Sequence, residues 1–169
     1  GSDWMRRSRR DWTKVLTGAT SSSRSPLPPR GRKYDPAMNW RSHDGIEWLE
    51  AELPGARAAF STRTGGVSSG PFESLNLGIL TEDDPVDVTA NRLLLADALG
   101  LEAESVAMGR QVHGTGLAFH HDRPAHSYFA HPGPPPEEVD GQLSDRDDLA
   151  LLVLVADCLP VALAGEGGI

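Results

Sequence analysis

An unbroken apolar run of seven residues, Leu149-Ala150-Leu151-Leu152-Val153-Leu154-Val155, constrains the fold of this chain most strongly. It has no apolar–polar alternation, so we predict a central strand covered on both faces. The segment Asp157-Cys158-Leu159-Pro160 interrupts the run, and its proline removes a backbone donor, so the sheet must open there. Strand ends of this kind are where α/β proteins place their sites. Residues 161–164 are expected to resume an extended course.

Four further segments can be predicted from local patterns. Residues 45–50 and 57–62 are predicted strands, and residues 65–71 form a glycine-rich loop between strand and helix. Residues 84–100 are predicted as a helix that begins at an Asp84 N-cap followed by Pro85 and ends at a glycine. Its apolar face is expected to consist of Val86, Ala90, Leu93 and Leu94, extended by Leu99.

Charge divides the chain into two unequal parts. Residues 1–41 contain ten basic and three acidic residues, a charge of +7, whereas residues 42–169 contain six arginines and twenty-one acids, a charge of −15, which sum to −8. An acidic folded part argues against nucleic acid as a partner, because phosphate backbones require basic neighbours. Anion capture then depends on individual arginines such as Arg63 and Arg110.

Residues 1–37 are rich in serine, proline and arginine and lack a regular apolar period. We expect a disordered basic extension or a start site assigned too early, with Met38 as the natural beginning; the alternative is a basic arm for an anionic partner. Residues 38–169 form the second predicted unit. One cysteine excludes an internal disulfide and favours a reducing, cytoplasmic setting, and no apolar run is long enough to make a membrane a partner.

Cys158 and His113 are the candidate metal ligands, although each also has an ordinary structural interpretation. A lone cysteine is usually a small buried hydrophobe. A lone histidine is usually a surface or hydrogen-bonded group, although the glycine that follows His113 suits a ligand presented on a turn. The two residues are 158 − 113 = 45 positions apart, so any joint site must be assembled by the fold.

Other polar residues allow two interpretations each. The loop that follows Arg63 is either a simple turn or an oxyanion cradle made of a guanidinium and backbone N–H groups. Asn76 lies between two leucines and either binds the backbone or reads a substrate. His120, His121, His126 and His131 are irregularly spaced, which favours a solvated segment over a second metal site.

Several motifs together resemble the multicopper polyphenol oxidase (laccase-domain) family, also described as purine nucleoside phosphorylases or as a peptidoglycan editing factor. The resemblance covers about residues 45–164. The motifs are Phe60-Ser61-Thr62-Arg63-Thr64-Gly65-Gly66-Val67-Ser68, Gly70-Pro71-Phe72, Ser74-Leu75-Asn76-Leu77-Gly78, Gln111-Val112-His113-Gly114, Val139-Asp140-Gly141 and Ala156-Asp157-Cys158-Leu159-Pro160-Val161.

The resemblance implies an α+β fold with helices outside packed mixed sheets, in an α/β/β/α layering. It also implies one zinc ion bound by two histidines and a cysteine. His113 matches the first histidine and Cys158 the cysteine. The second histidine belongs to a His-Ala-Gly-Trp-Arg-Gly motif that this sequence does not contain, so we expect a fold truncated at its C-terminus with a partial ligand set. The complete protein is expected to be a monomer.

The leading functional hypothesis is zinc-dependent phosphorolysis of purine nucleosides together with adenosine deamination, so the expected partners are a nucleoside and phosphate. Arg63 would bind phosphate, Asn76 and Gln111 would read the purine or ribose, and Asp140 or Asp157 would orient a ligand histidine. One alternative is copper-dependent oxidation of phenols. The other is a non-catalytic role in binding or editing a peptidoglycan precursor.

Overall fold

The computed structural model describes residues 14–19, for the backbone only, and residues 38–131, 133 and 135–165. The strands are β1 (Lys14–Ala19), β2 (Met38–His43), β3 (Ile46–Leu53), β4 (Ala56–Ser61), β5 (Val106–Met108), β6 (Leu117–His120), β7 (Gly141–Ser144) and β8 (Ala150–Leu154). The helix α1 (Pro85–Ala98) lies between β4 and β5, and short 3-10 turns occupy Gly70–Phe72 and Ala103–Ser105. No helix in these ranges combines the length and apolar character needed to cross a membrane.

Six strands form a mixed sheet in the order β2-β3-β4-β1-β8-β5, and β6 pairs with β7 in a separate two-stranded sheet. The β5–β8 and β6–β7 pairs are parallel, and the other pairs are antiparallel. Helix α1 packs on the large sheet, because Leu95 and Leu99 share one core cluster with Ile46 and Leu152. The predicted α+β class, with mixed sheets and a helix outside, is confirmed.

Strand β8 is the central strand predicted from the apolar run. It lies between β1 and β5, and its pairing with β5 aligns Val106 with Ala150 and Met108 with Leu152. Ala150 and Leu152 are fully buried, whereas Leu151 and Val153 on the opposite face are only half-buried. The sheet therefore has one sealed face and one partly covered face, and residues 161–164 are irregular chain rather than a further strand.

The strands predicted at 45–50 and 57–62 correspond to β3 and β4. A two-residue Asp44-Gly45 turn joins β2 to β3, with φ of 46° and 84° at its two positions. Positive φ at both positions matches the right-handed twist of a hairpin and favours Asp-Gly. β2 was not predicted, because all six of its side chains are exposed and leave no alternating apolar pattern.

Helix α1 begins where predicted, but its inward face differs from the prediction. The Asp84 carboxylate accepts a hydrogen bond from the Val86 N–H at 2.8 Å, and Pro85 follows the cap. Of the expected face, Leu99 is buried, but Val86, Leu93 and Leu94 are exposed. The buried residues are instead Val88, Asn91, Arg92, Leu95 and Ala96. Counting only apolar residues selected the wrong side, because two of the inward residues are polar.

The N-terminal segment also departs from the prediction in its described part. Residues 1–37 were expected to lack regular structure, but residues 14–19 form β1 between β4 and β8. Its register aligns Lys14 with Ser61 on one side and with Leu154 on the other. Backbone pairing on both edges stabilises a strand whose own sequence has too little apolar period to predict it. The rest of residues 1–37 lies outside the described residues.

Candidate metal and substrate site

His113 lies on the loop between β5 and β6, in a left-handed backbone conformation with φ of 59°. The carboxylate of Asp140, just before β7, accepts three consecutive backbone N–H groups of this loop. Oδ1 accepts from Val112 at 3.1 Å and from His113 at 2.8 Å, and Oδ2 accepts from Gly114 at 2.8 Å. These bonds fix the main chain at His113 and leave its imidazole exposed.

The same three bonds keep Asp140 ionised. The Gly114 N–H, then those of His113 and Val112, lower the pKa of the Asp140 carboxyl below its ordinary value. Asp140 thus holds His113 by its backbone N–H. The hypothesis from the sequence had instead placed this contact at the imidazole ring of a ligand histidine. A fixed backbone restricts where the imidazole can reach.

Gln111 joins the His113 loop to the end of β8. Its Nε2 donates to the Leu154 carbonyl at 2.9 Å, and its Oε1 accepts the Leu154 N–H at 2.8 Å. One N–H and the oxygen of this exposed amide are therefore both bonded to a single backbone residue. Gln111 thus makes a structural contact, and its reading of a purine stays a prediction.

Cys158 follows that junction by four residues and is exposed, so the interpretation as a small buried hydrophobe is wrong. His113 follows Gln111 by two residues. The two candidate ligands therefore both lie a few residues beyond the same Gln111–Leu154 contact, on separate segments. Imidazole and thiolate are the donor types that zinc prefers, and both are accessible.

A different set of three side chains meets the distance requirement for a metal site in the described part of the chain. It consists of His43 and Asp44 at the β2–β3 turn and Asp97 in the last turn of α1. Their potential ligand atoms lie within 4.8 Å of one another, and all three residues are exposed. This set contains neither of the predicted ligands.

Arg63 follows β4 and is partly exposed. Its Nε donates to the Glu73 carbonyl at 2.6 Å, and its own carbonyl accepts the N–H groups of Ser74 and Leu75. Among the described residues, no carboxylate forms an ion pair with its guanidinium. Arg63 thus combines a fixed backbone with a cation that an anion can approach.

Three backbone N–H groups of the glycine-rich loop are not open to an anion. They are already bonded within the protein: Gly66 to Ser74 Oγ, Val67 to Asn91 Oδ1, and Ser68 to the Ser74 carbonyl. The cradle hypothesis is therefore wrong for these three donors. The Arg63 guanidinium remains accessible to an anion.

Asn76 makes structural contacts on every side. Its Nδ2 donates to Thr81 Oγ1 and to Asp83 Oδ2, both at 2.9 Å, and its Oδ1 accepts the Gly78 N–H at 3.0 Å. Of the two interpretations left open by the sequence, these contacts favour the residue that organises the backbone. Asn76 is half-buried and supports the loop between Leu75 and Leu77.

The four additional histidines bind separate partners. His120 contacts Gln142, His121 contacts Asp145, His126 contacts the His131 carbonyl, and His131 pairs with Glu104. None of them belongs to the set of three described above. This agrees with a solvated segment, although Phe129 within that segment is fully buried.

Sequence reasoning missed Asn91 and Arg92, the two fully buried polar residues of α1. Arg92 donates from Nε to the Leu77 carbonyl at 2.9 Å and from Nη1 to the Tyr128 carbonyl at 2.7 Å. Burial lowers the pKa of Arg92 to about 10, so it remains cationic at neutral pH. Their positions three and four residues after Val88 were the available signal, since that spacing places them on its face.

Comparison with known proteins identifies the family to which these residues belong. The family model for the multi-copper polyphenol oxidoreductase laccase matches residues 57–168, a range that includes every candidate site residue above except His43 and Asp44. The chain is 46% identical over 110 residues to a protein of Streptomyces coelicolor named purine nucleoside phosphorylase, covering 65% of this chain and 43% of that relative. A protein of the same name in Corynebacterium glutamicum is 41% identical over 108 residues, covering 64% and 42%.

Two solved structures share the fold. YlmD from Geobacillus stearothermophilus superposes with a TM-score of 0.58 at 32% identity, covering 69% of this chain and 43% of that one. The Bacillus licheniformis hypothetical protein YfiH superposes with a TM-score of 0.54 at 25% identity, covering 66% and 42%. The chain thus spans less than half the length of the relatives it matches. Because the family model extends over most of its residues, this chain belongs to the multi-copper polyphenol oxidoreductase laccase family.

Proposed function

We propose that the protein to which this chain belongs is a zinc-dependent purine nucleoside phosphorylase that also deaminates adenosine. The observation that carries the proposal is the Gln111–Leu154 junction, from which the exposed His113 and Cys158 both follow. The names of the relatives supply the substrate class, a purine nucleoside with phosphate as its co-substrate.

His113 and Cys158 would hold the metal, and their donor types suit zinc. A bound zinc ion would supply Lewis acidity, which activates water as a nucleophile at neutral pH. The chain's own contribution is to fix the ligands in advance. Asp140 holds the His113 backbone, and Gln111 ties that loop to the strand that leads to Cys158.

Arg63 is the proposed phosphate-binding residue. In phosphorolysis a phosphate oxygen attacks the ribose C1′ while the bond to the purine nitrogen breaks, and a guanidinium can orient that phosphate with two parallel N–H donors. Arg63 suits this role because its main chain and Nε are fixed, whereas no carboxylate of the described residues neutralises it. We assign Asn76 and Gln111 supporting roles through the contacts described above.

The test uses the full-length protein loaded with zinc. Inosine with phosphate should yield hypoxanthine and ribose 1-phosphate in equal amounts, and adenosine should yield adenine or, through deamination, inosine. His113→Gln and Cys158→Ser should abolish both reactions and lower the bound zinc. His126→Gln, which changes an exposed histidine outside the site, should alter neither. Absence of product from the zinc-loaded wild type would eliminate the proposal.

The family description favours a second candidate, because it names copper and polyphenol oxidation. This chain contains one cysteine and six histidines, and both residue types bind copper as well as zinc. Metal analysis of the purified protein, followed by an assay with a phenol, separates the two candidates. Bound copper together with oxygen-dependent turnover of the phenol would favour the oxidase. Bound zinc without turnover of the phenol would favour the phosphorylase.

A further inference from the structure

Asn91 lies on the inward face of α1, is 0% exposed, and uses its whole amide. Its Oδ1 accepts the Val67 N–H at 2.7 Å, and its Nδ2 donates to Ser68 Oγ at 2.8 Å and to the Asn76 carbonyl at 2.9 Å. One buried side chain therefore connects the helix with the glycine-rich loop and with the segment that contains Asn76.

A second layer of hydrogen bonds surrounds this amide. Ser68 Oγ donates to Asp83 Oδ2 at 2.6 Å, and Asn76 Nδ2 donates to the same oxygen at 2.9 Å. Each polar group that Asn91 contacts is thus either a backbone group or a side chain with a further partner. A satisfied buried network of this kind specifies one arrangement of the chain, because leaving any member unpaired in a low-dielectric interior is costly.

The network connects to Arg63 through Ser74 and Leu75. Arg63 presents its carbonyl to the N–H groups of Ser74 and Leu75, and Ser74 presents its own carbonyl to Ser68. Gly66 closes the packing, because a Cβ there would lie 2.5 Å from Asn91 Oδ1 and 2.6 Å from Leu75 Cα. A displacement at Asn91 therefore passes through Ser68 and Ser74 to Arg63.

We infer that Asn91 is a positioning residue that sets the place of Arg63 at the phosphate site. The inference rests on the proposed function for the identity of the anion. Asn91 is fully buried, and its effect is transmitted through Ser68, whose hydroxyl accepts from Asn91 and whose backbone N–H donates to the Ser74 carbonyl. Substitution of Asn91 and substitution of Ser68 should therefore both raise the KM for phosphate.

The experiment compares Asn91→Asp, Ser68→Ala and the double variant in the full-length protein, with Leu94→Ala as an exposed control on the same helix. Asn91→Asp keeps the shape and the acceptor for Val67 but loses both donations, and Ser68→Ala removes the shared hydroxyl. Each single variant should raise the KM for phosphate about tenfold, the effect of one or two lost hydrogen bonds, and leave the KM for the nucleoside within about twofold. The double variant should raise the KM for phosphate by less than the product of the two single effects, because both changes break the same Asn91–Ser68 bond.

Amide hydrogen exchange supplies a readout that does not need activity. In Asn91→Asp and Ser68→Ala, exchange at Gly66 and Ser68 should accelerate while exchange at Leu95, in the core of α1, stays unchanged. An unchanged phosphate KM in folded variants would overturn the inference. So would a uniform loss, with both KM values and the Leu95 exchange rate raised together, because that describes general destabilisation. If the wild type lacks phosphorolysis, the proposed function fails, and the exchange rates alone decide whether Asn91 fixes this loop.

Discussion

Replacing Gly66 by alanine tests the packing between the glycine-rich loop and α1. The φ angle of Gly66 lies outside the left-handed region, so the only obstacle to a side chain is space. An added Cβ would overlap the Ser74 carbonyl oxygen, would lie 2.5 Å from Asn91 Oδ1 and would lie 2.6 Å from Leu75 Cα. Two of these neighbours are backbone atoms and the third belongs to a buried amide, so none can move alone.

The cost follows from the bonds that the displaced atoms make. Ser74 O accepts the Ser68 N–H at 3.0 Å, and Asn91 Oδ1 accepts the Val67 N–H at 2.7 Å. Overpacking of a well-packed site costs about 1–3 kcal/mol, and we expect the upper end because relief of the overlap lengthens both bonds. About 3 kcal/mol corresponds to a fall in Tm of roughly 6–12 °C for a chain of this size.

Thermal unfolding followed by circular dichroism measures the effect, with Gly133→Ala as the matched control. The nearest atom to a Cβ at Gly133 is His126 Nε2 at 3.4 Å, an ordinary contact with an exposed side chain. The control should therefore change stability by less than about 0.5 kcal/mol. A Tm for Gly66→Ala that matches the control would refute the packing described here.

Three further outcomes are expected. Asp140→Ala should weaken zinc binding about 10–100-fold in a competitive titration, because the loop that presents the histidine ligand is released; an equal loss in Asp147→Ala would point to net charge instead. Hydrogen bonds from Arg146 hold the pKa of Asp148 at about 2, below its ordinary 3.8, so its stabilising effect is complete above about pH 4 and disappears as the pH falls toward 2. In Arg146→Leu, carboxyl NMR titration should show the pKa of Asp148 returning toward 3.8, and no change would contradict that assignment. Cys158 should react with a thiol reagent in the native protein, and a requirement for denaturant would disprove its exposure.

The sequence predicted the elements whose signals are local. The apolar run identified β8, the Asp84-Pro85 cap identified the start of α1, and the short segments 45–50 and 57–62 identified β3 and β4. Each of these signals depends on a few neighbouring residues, so the element could be predicted without knowledge of the fold. β1 lacked such a signal, because its strand state depends on pairing with the distant strands β4 and β8, and β2 lacked one because all six of its side chains are exposed.

At the site, residue choice was more predictable than residue role. His113 and Cys158, the ligands predicted from the sequence, are both exposed, and their role in metal binding stays a prediction. The roles of Gln111 and Asn76 were not predictable, because an amide serves a substrate or a backbone with the same atoms, and only the partner decides. Asn91 was missed because apolar periodicity treats a polar residue as surface, although a fully bonded amide can be buried at little cost.

The pair of bonds between Gln111 and Leu154 has a thermodynamic consequence. Parallel pairing of β5 with β8 ends at Met108 and Leu152, and the glutamine side chain then takes the place of a further strand residue, which extends the ladder past the point where the two main chains separate. The order this imposes on both segments is acquired when the chain folds, before any ion arrives. A cation that binds there would therefore not have to order two freely moving loops. Its affinity should depend more on the donor atoms of its ligands than on the conformational freedom that the chain loses on binding.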